Sequence, residues 1–136
     1  MKTLRVLREL TWAQRWTLAV ALVLLPAYAA RLRRSSPARV IPTSGAGGLA
    51  SQEALVDAQA AARAVDLVAA RLQATCLTRS LVLQRILANR GIAGVLRVGV
   101  SREGDALSAH AWVECGGIPV NDTAERVRRL ATVKLP

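Results

Sequence analysis

The spacing of the hydrophobic positions changes once along the chain, at Gly91. Between Gln52 and Leu72, and again between Cys76 and Arg90, apolar residues recur at steps of three and four, which is typical of helices that bury one face. Beyond Gly91 apolar and polar residues alternate, as they do in strands. The predicted strands are 95–100, 108–115 and 118–123, the turns are 101–105 and 116–117, and a short helix or tail follows over 124–134. Two helices followed by a three-stranded antiparallel meander predict an α+β domain.

The second of these helices has clear signals at both ends. Thr75 is a natural N-cap, and Gly91 suits the left-handed backbone that follows a helix. These ends place Cys76 in the first turn, where the free amides and the helix dipole stabilise a thiolate, the nucleophilic form of cysteine. The competing interpretation is a buried, chemically inert cysteine.

The N-terminal region contains an uncharged apolar run from Trp16 to Ala30, preceded by a capping box at Thr11. The run is shorter than the roughly 20 residues that a membrane span needs. A signal peptide is a second interpretation, because residues 27–29 have the small-residue pattern of a cleavage site. We favour a third interpretation, in which the run forms a helix that packs on the domain or on a partner, with peripheral contact with a membrane surface as a variant of it.

Basic residues are concentrated at the start of the chain. The net charge is +10, and residues 1–39 hold eight of the 19 basic residues but one of the nine acidic residues. Anionic lipid or an acidic peptide are plausible partners, whereas nucleic acid is not, since no recognition motif or aromatic platform is present. We divide the chain into a basic apolar helix (1–34), a linker rich in Gly, Pro and Ser (35–51) and a folded domain (52–136).

His110 is the one histidine of the chain, and it lies in the second predicted strand. A lone histidine is usually a core residue, but here a cysteine at a helix start lies upstream and needs a base. Asp122 follows on the next strand, where a carboxylate can fix the histidine tautomer; the competing interpretation is a capping aspartate.

The pairing of His110 with Asp122 depends on the turn between their strands. A two-residue turn at Gly116-Gly117 would pair Ala111 with Asp122, which would then face away from His110. The hypothesis therefore predicts a three-residue loop or a bulge, with Asn121 as the alternative orienting group. Cys115 falls on the opposite face from His110 and is predicted to be structural, with a disulfide to Cys76 as the alternative. Two cysteines and one histidine do not form a familiar zinc site, and we expect no metal or cofactor.

An ordered set of segments resembles the transglutaminase-like leader peptidases of lasso peptide biosynthesis. The segments are Cys76–Leu81, Asn89–Ile92, Leu96–Val100, Ala109–Glu114 and Asn121-Asp122, and the resemblance is strongest over 72–123. It implies a transglutaminase-like or papain-like cysteine protease core, in which the helix bearing the cysteine packs on a small antiparallel sheet. It also implies that Cys76, His110 and Asp122 form a catalytic triad.

The resemblance further implies a role in the maturation of a ribosomally made peptide. The enzyme would remove the leader from a precursor, and a separate cyclase would then close the macrolactam. Some members carry a fused leader-recognition domain, for which we see no room in this chain, so we expect a separate leader-recognition protein. We also expect a cytoplasmic location, with peripheral association with the membrane as a variant of it. The alternatives are an amidase or acyl transferase with another substrate, and a basic adaptor protein without activity.

Overall fold

The computed structural model describes residues 10–36, 39 and 50–133. The basic residues before Leu10, most of the predicted linker and the last three residues lie outside these ranges. The division of the chain at residues 34 and 51 therefore stays a prediction.

Four helices are present among the described residues, and two of them start at the predicted caps Thr11 and Thr75. Their bounds are α1 Trp12–Arg34, α2 Gln52–Leu72, α3 Cys76–Asn89 and α4 Ala124–Arg128. The predicted capping box is confirmed, because Thr11 and Gln14 exchange hydrogen bonds between side chain and backbone. Thr75 caps α3 as predicted, and Gly91, with φ of 72°, follows its end. The sequence signals thus set where the helices begin and where α3 ends.

In the part of the chain that the structure describes, the sheet has four antiparallel strands in the order β3-β2-β1-β4, one more than predicted. Their bounds are β1 Val95–Glu103, β2 Ala106–Cys115, β3 Ile118–Pro119 and β4 Ala131–Val133. The predicted five-residue turn between β1 and β2 is shorter, because the hairpin closes with Gly104-Asp105 alone and Glu103 pairs with Ala106. The expected helix or tail at the end is a five-residue helix followed by β4, which pairs with the middle of β1.

The hydrophobic core lies between the helices and one face of the sheet. α3 packs on β2, and Leu81, Leu83 and Leu87 are buried there together with Val113 and Cys115. α2 contributes a face of small residues (Ala58, Ala61, Ala62, Val65, Ala69), which is packed against α1 and α3. Leu72, the last residue of the apolar pattern that predicts this helix, is 46% exposed at the helix end.

α1 is longer than the apolar run that predicted it, because its capping box adds residues before Trp16 and arginines extend it to Arg34. The apolar run alone is too short for a membrane span, but within the described residues the whole of α1 is, by length and composition only, long and apolar enough to cross a bilayer. It nevertheless packs on the domain, with Ala21 and Leu25 buried, while its opposite face exposes Trp12 and Val23.

Gly99 creates the space that Trp112 occupies on the other face of the sheet. A Cβ built on Gly99 would lie 2.7 Å from the Leu130 Cβ and 2.9 Å from the Trp112 Cζ3. We expect Gly99→Ala to lower the free energy of unfolding by about 1–3 kcal/mol, because the overpacked groups must move. Urea unfolding followed by circular dichroism measures this, with Ala109→Val at an exposed position of β2 as the control. Equal stabilities for Gly99→Ala and wild type would contradict the proposed close packing.

Candidate active site

Cys76 is the first residue of α3 and a free, partly exposed thiol. The Thr75 hydroxyl caps the helix by accepting from the Thr78 amide at 3.2 Å, which leaves the amides of the first two helical residues without an intrahelical partner. The first turn contains no acidic residue. The positive end of the helix dipole therefore lies at Cys76 without an opposing carboxylate in the same turn.

His110 is buried in the middle of β2, directly opposite Gly99 of β1. Its ring stacks with the indole of Trp112, with centroids 6.3 Å apart and planes at 19°. The Trp112 Nε1 in turn donates to Glu114 at 3.0 Å. Packing and stacking together limit the orientations open to the imidazole.

Asp122 meets this imidazole directly. The His110 Nε2 forms a hydrogen bond with the Asp122 Oδ2, and the other carboxylate oxygen accepts from the Thr123 amide at 2.7 Å. Both oxygens of Asp122 are thus engaged, and its orientation is fixed. The His110 Nδ1 has no hydrogen bond to any described residue, so this nitrogen is left to exchange a proton with another group.

The route by which Asp122 reaches His110 differs from the predicted one. The turn at Gly116-Gly117 has two residues, both at positive φ, and Cys115 pairs with Ile118, so the expected three-residue loop is wrong. The predicted third strand also ends early, at Pro119, and the chain bends through the next three residues. Because the alternation of a strand no longer applies there, Asp122 can turn towards His110.

Asn121 occupies the point at which the chain leaves the sheet. Val120 still donates to the Val113 carbonyl at 3.0 Å, as in a regular ladder. The Val113 amide, however, donates to the Asn121 Oδ1 at 2.8 Å rather than to a backbone carbonyl. Asn121 therefore has a structural contact of its own, and Asp122, not Asn121, is the partner of His110.

Ser80 connects α3 to both flanks of the His110–Asp122 pair. Its hydroxyl is completely buried, donates to the Ala111 carbonyl at 3.1 Å and accepts from the Asn121 Nδ2 at 3.1 Å. Ser80 is not among the predicted site residues; its signal in the sequence is a hydroxyl residue on the apolar face of the predicted helix, four residues after Cys76.

The three predicted site residues are brought together to different degrees. His110 and Asp122 are in contact, whereas no hydrogen bond joins Cys76 to either of them in the described ranges. Ser80 lies on the same helix face as Cys76, one turn later and about 6 Å along the axis. Cys76 is thus one helical turn from the place where α3 contacts the neighbours of His110 and Asp122.

A charged pair extends the site towards α2. The Arg79 Nε lies 3.4 Å from the Asp66 Oδ1. Burial raises the pKa of the Asp66 carboxyl, the Arg79 guanidinium lowers it, and the negative charge of Asp122 raises it. Burial has the largest effect and leaves the pKa of Asp66 above its usual value, whereas at Asp66 the attraction of Arg79 outweighs the repulsion from Asp122.

The described residues contain no group of three or more His, Cys, Asp and Glu side chains that could hold a metal ion. Cys76 and Cys115 are both free, so the alternative disulfide is not formed. Cys115 belongs to the hydrophobic core, and burial raises the pKa of its thiol.

The two cysteines should therefore differ strongly in reactivity. We expect iodoacetamide at neutral pH to alkylate Cys76 in the folded protein and to leave Cys115 unmodified, because Cys115 has no exposed surface. Peptide mapping by mass spectrometry measures both sites, and labelling in denaturant shows that both can react. Equal labelling of the two thiols in the native protein would contradict the burial of Cys115.

Comparison with known proteins identifies the family. A family model described as the transglutaminase-like superfamily matches residues 6–134, nearly the whole chain and including α1. Searches of curated proteins and of solved structures found no match. The superfamily typically comprises cysteine proteases and acyl transferases, and the observed architecture of helices on a small antiparallel sheet agrees with the match. The chain belongs to the transglutaminase-like superfamily.

Proposed function

We propose that the protein is a cysteine peptidase that removes the leader from a lasso peptide precursor. The observation that carries the catalytic part is the hydrogen bond between His110 and Asp122, in a domain whose free cysteine begins the neighbouring helix. Membership of the superfamily supports acyl chemistry at a cysteine in general. The ordered segments between residues 72 and 123, which resemble the leader peptidases, support the narrower assignment.

In the proposed reaction Cys76 is the nucleophile, and its sulfur attacks the carbonyl carbon of the scissile peptide bond. The backbone amide of Cys76, at the start of α3, donates to the developing oxyanion. His110 carries the thiol proton on Nδ1 and passes it to the leaving amine, so that the C–N bond breaks and the core peptide departs with a free N-terminus. The leader remains on Cys76 as a thioester.

Hydrolysis completes the cycle. His110 takes a proton from water, the resulting hydroxide attacks the thioester, and the C–S bond breaks to release the leader as a carboxylic acid, which loses its proton to solvent. The Cys76 thiolate and the His110 imidazolium are restored. Throughout, Asp122 holds Nε2 and keeps the imidazole in the tautomer that presents Nδ1 to the reaction.

The proposal also includes partners and a location. A separate leader-recognition protein would bring the precursor to Cys76, and the macrolactam-forming cyclase would receive the freed core peptide. Because the precursor is made on ribosomes, we place the reaction in the cytoplasm. The basic charge at the start of the chain suits contact with an acidic leader or with a partner protein.

The test combines the purified protein with a candidate precursor and its leader-recognition protein, and follows the products by mass spectrometry. Cleavage at one bond, giving leader and core peptide, supports the assignment. Transfer of the leader to an added amine in place of water would identify an acyl transferase. Absence of any reaction, with precursor binding demonstrated, would contradict the leader-peptidase function and favour an adaptor or an enzyme that acts on another substrate.

A further inference from the structure

We propose that Ser80 and Asn121 are positioning residues, a buried polar clamp that sets Cys76 and the His110–Asp122 pair at their working separation. The inference rests on the catalytic part of the proposed function and assigns a role to two residues that contact no reacting atom.

The clamp joins α3 to the neighbours of both His110 and Asp122. Ser80 is four residues after Cys76, on the same face of α3. Its hydroxyl donates to the backbone carbonyl of Ala111, the residue after His110. The same hydroxyl accepts from the side-chain amide of Asn121, the residue before Asp122. One completely buried hydroxyl thus contacts a neighbour of each member of the pair.

Asn121 lies two residues after the end of β3, where the chain bends away from the sheet. If the ladder continued beyond Pro119, the Val113 amide would pair with the Val120 carbonyl and Asp122 would face away from His110. The Asn121 Oδ1 accepts a hydrogen bond from that amide instead, so the backbone can leave the sheet without leaving the Val113 donor unpaired. The side chain of Asn121 therefore permits the bend that brings Asp122 to Nε2.

Burial makes the clamp costly to break. The bond from Ser80 to Ala111 is buried and the two bonds of Asn121 are partly buried, so a donor or acceptor left unpaired there costs free energy. Movement of α3 along the sheet would break the bonds of Ser80 together. The clamp therefore resists sliding of the helix that carries Cys76, and displacements of about 1 Å are enough to slow a catalytic step about a hundredfold.

The test uses the protein alone and measures the alkylation rate of Cys76 by iodoacetamide between pH 5 and 9. If His110 assists the thiol, wild type reacts faster at low pH than His110→Ala. We expect Cys76 to be alkylated about tenfold more slowly in Ser80→Ala and in Asn121→Ala than in wild type at pH 6. Their pH profiles should therefore approach that of His110→Ala. Ser80→Thr, which keeps the hydroxyl, should restore part of the rate.

The matched control is Thr17→Ala, which removes another buried hydroxyl, bonded to the Ala13 carbonyl and to Arg90 at the end of α3. It should lower thermal stability as Ser80→Ala does and leave the alkylation profile unchanged. If Ser80→Ala does not fold, Asn121→Ala, at a half-buried position, carries the test.

The outcomes separate the two proposals. The clamp would be overturned if folded Ser80→Ala or Asn121→Ala showed the wild-type pH profile of Cys76 alkylation while His110→Ala showed a changed one. The catalytic pair would then stand without the clamp. Identical profiles for wild type and His110→Ala would overturn the catalytic assignment, and the clamp with it. A failure to cleave precursor, with the expected alkylation profiles, would affect the substrate assignment alone.

Discussion

Replacing Cys76 by alanine is expected to lower the rate of leader cleavage at least about a thousandfold. The thioester cannot form without the sulfur, and what remains of binding and oxyanion stabilisation recovers only a small part of the rate. The loss should appear in kcat, because Cys76 is half-buried at the helix start and its removal leaves the rest of the site in place. Quantitative mass spectrometry of the released core peptide measures it.

Cys115→Ala is the matched control for this variant. It removes the other thiol, which is completely buried in the core, and should lower stability by about 1 kcal/mol while leaving kcat within a few-fold of wild type. Undiminished cleavage by Cys76→Ala, or a comparable loss in both variants, would remove Cys76 from the role of nucleophile.

Asp122→Asn is expected to lower kcat by about a hundred- to ten-thousandfold, with KM little changed. The amide is nearly isosteric with the carboxylate, so the bend and the contact with Thr123 can persist. It has no negative charge to stabilise the imidazolium, however, and its NH2 group can hold the histidine in the wrong tautomer. Steady-state kinetics on the precursor separate kcat from KM.

Asp57→Asn provides the comparison, since it makes the same chemical change at an exposed position of α2. It should cleave the precursor at the wild-type rate. An Asp122→Asn variant with unchanged kcat would show that the hydrogen bond to His110 is structural and has no part in the reaction.

The starts of the helices could be predicted from the sequence because their causes are local. A hydroxyl residue accepts from an amide three positions later, as at Thr11, Ser51 and Thr75, and the two participants are visible in one short window. The same is true of the hairpins, whose glycines mark the turns. Locality also explains why the sequence alone places Cys76 in the first turn of α3.

The end of β3 could not be predicted, because its causes are distant in the chain. The bend depends on Asn121 binding Val113, eight residues away, and Ser80, 41 residues away. Alternation alone extends the strand through Asp122 and leads to the wrong loop length. For the same reason the sequence identified His110 and Asp122 as partners but could not give the path that joins them, and it left Ser80 unnoticed.

The stacking of Trp112 on His110 gives the molecule an internal optical probe. Of the three tryptophans, Trp112 is 1% exposed, whereas Trp12 and Trp16 are mostly in solvent, so the emission of Trp112 falls at shorter wavelengths than theirs. A protonated imidazole quenches a neighbouring indole more strongly than a neutral one. The short-wavelength fluorescence of this protein therefore reports the charge of its single histidine continuously, without substrate and without a label.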